Sequence, residues 1–228
     1  MSIPPLRTPV AVFAKVPRPG TVKTRLIPTL GAEKATRLYE RCTTQMVKTA
    51  LEADVGPVEL WCTPTILHPF FDGIGRAWHP TLRTQSNGNL GIRMMRTFEA
   101  LLTGHSQAIL IGSDCPSLTS DDIRAAAEAL SSGEHAVFVP TEDGGYALIG
   151  LHSVHSNLFD DVPWSTSSVM EVTRERLRDL DWSWKELAVR WDVDRPEDFQ
   201  RLIADPRLGH LCDRIARPTP VPRLRAVS

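Results

Sequence analysis

The sequence predicts an α/β fold: a largely parallel sheet covered by helices on both faces and holding at least one antiparallel strand. Three observations lead there. Short apolar runs alternate with longer stretches of helical period, one of those runs is apolar throughout, and a Gly-rich turn joins two further runs back to back.

Val10–Lys15 is a run of strand-formers, followed by a Pro/Gly loop over 16–21 and a helical stretch over Ala32–Ala53. In that stretch Ala35, Leu38, Tyr39, Cys42 and Met46 recur at helical spacing and form an apolar stripe. Residues 58–62 read as a second strand, and Leu90–Leu102 as a second long helix that Gly104 stops. Ala108–Ile111 has no polar residue, as in strands buried on both faces, and leads into Gly112-Ser113-Asp114-Cys115-Pro116. Ser120 is the expected cap of a helix over 121–130, which ends at Ser131-Ser132-Gly133. Residues 136–139 and Tyr146–Leu151 form a hairpin about Thr141-Glu142-Asp143-Gly144-Gly145. A helix over 167–180, a strand over 187–190 and a helix over 196–203 complete the series.

The length of 228 residues suits one domain, expected over residues 1–215. Beyond it, residues 216–228 set Pro218, Pro220 and Pro222 among Arg217, Arg223 and Arg225, a composition expected of a flexible tail. A net charge of −1, from 26 basic and 27 acidic residues, supplies no global field for a polyanion, so no nucleic-acid partner is expected. The apolar run over 10–14 is too short for a signal-peptide core or a membrane span. The four cysteines make no Cys-x-x-Cys pair, which fits a reducing cytoplasm and argues against structural zinc. Oligomeric state has no signature.

Ligands of such sheets collect beyond the carboxyl ends of the strands, and three polar segments fall there. In the first, over 13–26, Lys15, Lys23 and Arg25 flank a loop containing Gly20, whose backbone amides can approach phosphate oxygens. It is not a Walker A loop, since Val22 stands where glycine must precede the lysine. A solvated basic loop is the alternative. The second segment carries Asp114, which can ligate Mg²⁺ or merely accept backbone bonds in its turn. The third comprises Asp143, Gly144, Gly145 and Tyr146, with Asp143 or Tyr146 suited to orient an acceptor, and, later, Asp192 and Asp194. The last two alternate along an extended stretch and so face one side as candidate metal ligands, unless Asp194 caps the helix that follows. His152 and His155 lack a third ligand at metal spacing, and Cys115 has no histidine to make it a nucleophile.

Together, the segments over 13–26, 111–118, 142–151 and 192–198 resemble a family of transferases labelled glycosyltransferases or associated with radical-SAM, selenium or arsenosugar gene neighbourhoods. That family is similar to the GT-A nucleotide-diphospho-sugar transferases, with the molybdenum-cofactor and phospholactate guanylyltransferases among its relatives. The resemblance implies a three-layer α/β/α sandwich with a mixed, mainly parallel sheet. It implies Lys15, Lys23 and Arg25 at the phosphates, Asp114 at Mg²⁺ or Mn²⁺, the Asp143-Gly144-Gly145 turn beside the acceptor, and Asp192 or Asp194 as a second metal ligand. Where the family commonly reads Gln-x-x-Gly-Asp-Leu-Gly-x-Arg-Met, this chain has Asn89 in place of the aspartate; Gln85, Gly88 and Arg93 are retained and are expected to shape the nucleotide pocket. Lys23, Arg25 and Asp114 are then the catalytic set. The expected reaction is nucleotidyl transfer from an NTP to a small acceptor with release of pyrophosphate. Glycosyl transfer from a nucleotide sugar, or nucleotide binding without catalysis, are the alternatives.

Overall fold

The computed structural model describes residues 8–213 and 215; the expected tail lies outside the described residues. Seven strands form one sheet: β1 (Val10–Lys15), β2 (Val58–Thr63), β3 (Thr81–Thr84), β4 (Ala108–Ile111), β5 (Ala136–Pro140), β6 (Tyr146–Leu151) and β7 (Trp184–Glu186), in the order β3-β2-β1-β4-β6-β5-β7. β1 pairs in parallel with β2 and β4, β2 with β3, and β5 with β7. β6 is antiparallel to both β4 and β5, and alone runs against the rest. The mixed, mainly parallel three-layer architecture is thus as expected.

Alternation along the buried strands divides the core between the two faces of the sheet. Val10, Val12, Ile109, Ile111, Val137 and Val139 point to the face covered by α2 (Ala32–Ala53), α3 (Pro69–Trp78) and α5 (Ser120–Ser131). Ala11, Phe13, Leu110, Phe138 and Ile149 point to the other, under α4 (Leu90–Leu102) and α6 (Val169–Asp179). A short α1 (Ile27–Leu30) leads into α2, whose outer side packs with α7 (Pro196–Ala204) through Leu38, Cys42, Phe199 and Leu202. Among the described residues no helix is long and apolar enough to cross a membrane.

The strand expected over 187–190 is displaced: the regular ladder occupies Trp184–Glu186, and Arg190 keeps only an isolated bridge to Thr141. β5 pairs regularly with β7 only over Ala136–Phe138, and on its other side the pairing with β6 shifts register between Val139 and Pro140. The expected cap of α5 is also corrected. Thr119, not Ser120, caps it, accepting from the Asp122 N–H, while Asp122 accepts from the Thr119 N–H at 2.8 Å.

Asp122 has a second task. Its carboxylate accepts two hydrogen bonds from Arg190, from Nε at 2.8 Å and Nη2 at 2.7 Å, tying α5 to the segment after β7. Burial alone would raise this carboxyl, but the hydrogen bonds from Arg190 and Thr119 prevail and hold it below the usual range. A lowered folded value means that the stabilisation is complete above the unfolded value of about 3.9 and is lost as pH falls through the folded one. Arg190→Ala should therefore cost about 2–3 kcal/mol at pH 7 in urea denaturation, with the gap closing below about pH 4. An equal gap at pH 7 and pH 3 would contradict the pairing.

Candidate active site

Beyond the carboxyl ends of β1 and β4 lies a cleft of about 560 Å³. β1 delivers Phe13, Ala14 and Lys15 to it, and β4 leads through Gly112 and Ser113 to Asp114. Because β6 is reversed, it contributes its first residues, Tyr146 and Ala147.

Lys23 holds the middle. Its backbone is left-handed, with φ of 47°, and its side chain is almost wholly buried, 2% exposed. Nζ lies 2.6 Å from Asp114 Oδ1 and donates to the Val193 carbonyl at 2.5 Å. Burial opposes the ammonium charge, but Asp114 prevails, and the Lys23 pKa lies above its ordinary value. Asp114 itself is 56% exposed toward the cleft. Arg25, largely exposed, pairs with Asp194. The helix that follows is capped by Asp198, which accepts from the backbone of Asp194 and Arg195, leaving the Asp194 side chain to Arg25.

Asp192 and Asp194 do share one side of their segment, with Val193 buried on the other and its N–H bonded to the Asp114 carbonyl at 3.0 Å. The Asp192 carboxyl is pushed up to about 6 by burial and by the Asp143 charge, with Lys23 opposing. Among the described residues no three His, Cys, Asp or Glu side chains are grouped to hold a metal ion. A divalent cation would have to take part of its oxygen shell from a ligand, as Mg²⁺ commonly does with phosphates.

Lys15, Lys23, Arg25, Gln85, Arg93, Asp114, Asp143, Gly145, Tyr146, Asp192 and Asp194 all line the cleft. Gly20, Gly88 and Gly144 do not, and each has φ above +80°. Gly88 turns the chain into α4, where a Cβ would come 2.9 Å from the Ile92 side chain. Gly144 seats the turn against the segment before α6: a Cβ there would lie 2.0 Å from the Ser167 carbonyl oxygen. In the turn itself Asp143 Oδ1 accepts from Thr141 Oγ1 at 2.5 Å and Gly145 N–H at 3.1 Å. Asn89 caps α4, accepting from the Ile92 N–H at 3.0 Å, a role open to either amide or carboxylate.

Several lining residues were not among those expected at the site from the sequence. Tyr39, read there as part of the apolar stripe of α2, turns its hydroxyl to the cleft floor, accepting from Lys15 N–H at 2.6 Å and Ser113 Oγ at 3.3 Å. Trp164, Ser165 and Thr166 close the far side from a loop whose composition marks no ligand. Burial pushes the Cys115 thiol up to about 12, which suits a buried thiol rather than a nucleophile.

The family described as "Uncharacterized protein conserved in bacteria (DUF2064)" matches residues 46–166, more than half of the 228-residue chain. The chain belongs to this family. Its matched part holds Gln85, Arg93, Asp114 and the Asp143 turn, while Lys23 and Arg25 precede it. No curated protein matches the sequence. Among solved structures, the DUF2064 chain is similar to a provisionally named nucleotide-diphospho-sugar transferase from Desulfovibrio desulfuricans G20, with TM-score 0.79, 26% identity, and 92% of this chain and 96% of that one covered. A cytidylyltransferase from Leptospira borgpetersenii serovar Hardjo-bovis follows at TM-score 0.57 and 11% identity, covering 95% and 99%. Glucosyl-3-phosphoglycerate synthase from Mycobacterium tuberculosis, in complex with Mn²⁺, UDP and phosphoglyceric acid, gives TM-score 0.52 and 11% identity, covering 94% and 80%. The last two likenesses bear on the fold alone, which nucleotidyl and glycosyl transferases share.

Proposed function

We propose that this chain transfers a nucleotidyl group from a nucleoside triphosphate to a small acceptor, releasing pyrophosphate. The observation that carries this proposal is the convergence of Lys15, Lys23 and Arg25 with the exposed Asp114 carboxylate in one cleft at the strand ends. Lys23 is already immobilised by Asp114 and the Val193 carbonyl, so a phosphate meets a charge whose position costs no further ordering. Arg25 is exposed and can exchange Asp194 for a phosphate pair in bidentate fashion.

The donor set suits a hard divalent cation. Asp114 is open to the cleft, and the negative charges of Asp143 and Asp194 both raise the Asp192 carboxyl, a crowding that a cation would relieve. Bound by Asp114 with Asp192 or Asp194, Mg²⁺ or Mn²⁺ would supply neutralisation of phosphate charge. The chain's own residues do the rest: the loop after β1 orients the phosphates, and Asp143, Tyr146 and Trp164 bound the space for the acceptor. As the acceptor oxygen bonds to the α-phosphorus and the bond to the β-phosphate oxygen breaks, Lys23 and Arg25 stabilise the departing pyrophosphate.

A second reading, glycosyl transfer from a nucleotide sugar, is favoured by Asp143 lying close enough for its charge to raise the Asp192 carboxyl, which could take the acceptor proton. We place the activity in a single domain over residues 1–215 and in the cytoplasm, in keeping with four buried, unpaired thiols. With Mg²⁺ and a panel of acceptors, pyrophosphate release from an NTP is the expected result. NDP release from a sugar nucleotide would select the second reading, and tight binding without turnover would reduce the chain to a nucleotide-binding module.

A further inference from the structure

The cations of the cleft are not alike. Lys23 and Arg25 each have an aspartate, whereas no carboxylate among the described residues pairs with Arg93, which is half-buried at the start of α4. It is held instead by a neutral group. Gln85 follows β3 and is buried; its Nε2 donates to the Ala14 carbonyl at 3.2 Å and the Trp61 carbonyl at 2.7 Å, near the ends of β1 and β2. With both amide hydrogens engaged, the orientation of the amide is fixed, and Oε1 is left to accept from Arg93 Nη1 at 2.7 Å. The only other acceptor for Arg93 among the described residues is the Asn89 carbonyl, at a long 3.4 Å from Nε. Burial, uncompensated by any charge, lowers the guanidinium pKa. Its remaining N–H groups have no acceptor among the described residues and can donate to a ligand in the cleft.

The surroundings indicate which ligand. Phe13, Leu90 and Met94 line the cleft beside Arg93, giving apolar walls, one of them aromatic, around a polar edge, which suits a base. The opposite end carries the Asp143 carboxylate, in the turn between β5 and β6, which repels phosphates, and the middle belongs to Lys23 and Arg25. A nucleotide with phosphates in the middle therefore has its base toward Arg93.

We infer, on the strength of the transferase proposal above, that Arg93, positioned by Gln85, reads the base of the donor nucleotide and selects guanine or uracil over adenine or cytosine. A guanidinium only donates. At the edge carrying the C6 or C4 substituent, guanine offers O6 and N7 to it and uracil offers O4, whereas adenine sets an N6 donor beside its N7 and cytosine sets an N4 donor where uracil has the acceptor.

The test is the affinity of the full chain for GDP, UDP, ADP and CDP with Mg²⁺, by calorimetry. Wild type should bind GDP or UDP at least about fivefold more tightly than ADP and CDP. Arg93→Ala should bring the favoured pair down to the level of the other two, and Gln85→Leu should narrow the ranking. Equal affinity for all four in wild type overturns the inference without a variant having to fold, yet leaves the transferase proposal standing. Equal loss for all four in Arg93→Ala also overturns it, by moving Arg93 to the phosphates. If none of the four binds, both proposals fall.

Discussion

Asp114→Ala should abolish metal-dependent nucleotide binding and, at the same time, destabilise the fold by about 2 kcal/mol at pH 7. The second effect follows from what the substitution leaves behind. Lys23 stays buried with the Val193 carbonyl as its acceptor and the more distant Asp194 charge for company. Stranding a fully buried charge costs about 3–5 kcal/mol, and the figure is reduced here because Asp114 is 56% exposed and its attraction partly screened. The pH dependence has a definite sign. In the wild type the Lys23 pKa is raised, so its contribution is complete below the unfolded value of about 10.4 and lost only above it. In the variant, burial acts with little opposition and the folded value falls below the unfolded one, so stability rises with pH as the folded chain sheds the proton. Urea denaturation at pH 7 and pH 9.5 should show the gap narrowing. A constant gap, or unchanged nucleotide affinity by calorimetry, would remove Asp114 from the centre of the cleft.

Gly144→Ala should produce a loss of about 3 kcal/mol, a fall in Tm of roughly 6–12 °C for a chain of this size. Two costs combine. The backbone sits at φ of +89°, and a Cβ would lie 2.0 Å from the Ser167 carbonyl oxygen and 2.7 Å from its carbon. Both are main-chain atoms, so the clash cannot be relieved by a side-chain rotation. The segment leading into α6 must move, and with it Ser165 and Thr166 on the cleft wall. A weaker KM for the acceptor with an unaltered KM for the nucleotide is the expected kinetic trace. Gly20→Ala is the control, since φ there is +87° but no atom lies within 4 Å, and only the conformational cost of about 1 kcal/mol remains.

Elements with an unbroken signal were legible in the sequence. β1, α2, α4, β4 and β6 fall on the expected residues, each an apolar run or stripe with a turn residue near an end. α3 and β3 were missed for physical reasons. α3 contains Gly73 and Gly75 and is capped by His68, whose Nδ1 accepts from the Phe70 N–H, a weak sequence signal for a helix start. β3 is a four-residue edge strand, mostly exposed, with little apolar alternation to mark it. In the cleft, Lys23 and Asp114 were readable because each follows a strand, but their direct pairing was not, since nothing local relates residues so far apart in the chain. Tyr39 was read only as apolar because helical periodicity registers the ring and not the hydroxyl.

The reversed direction of β6 divides the labour of the cleft. The residues proposed to hold phosphates sit on the ends of central parallel strands and on a loop anchored to them, where any lengthening of the chain would disturb the core. The far side is made from the bend between β5 and β6 and the irregular stretch before α6, which packs on that bend and lies outside the strand ladder. Under the proposed function, relatives built on this plan can diverge in what they modify while keeping the same grip on what they spend.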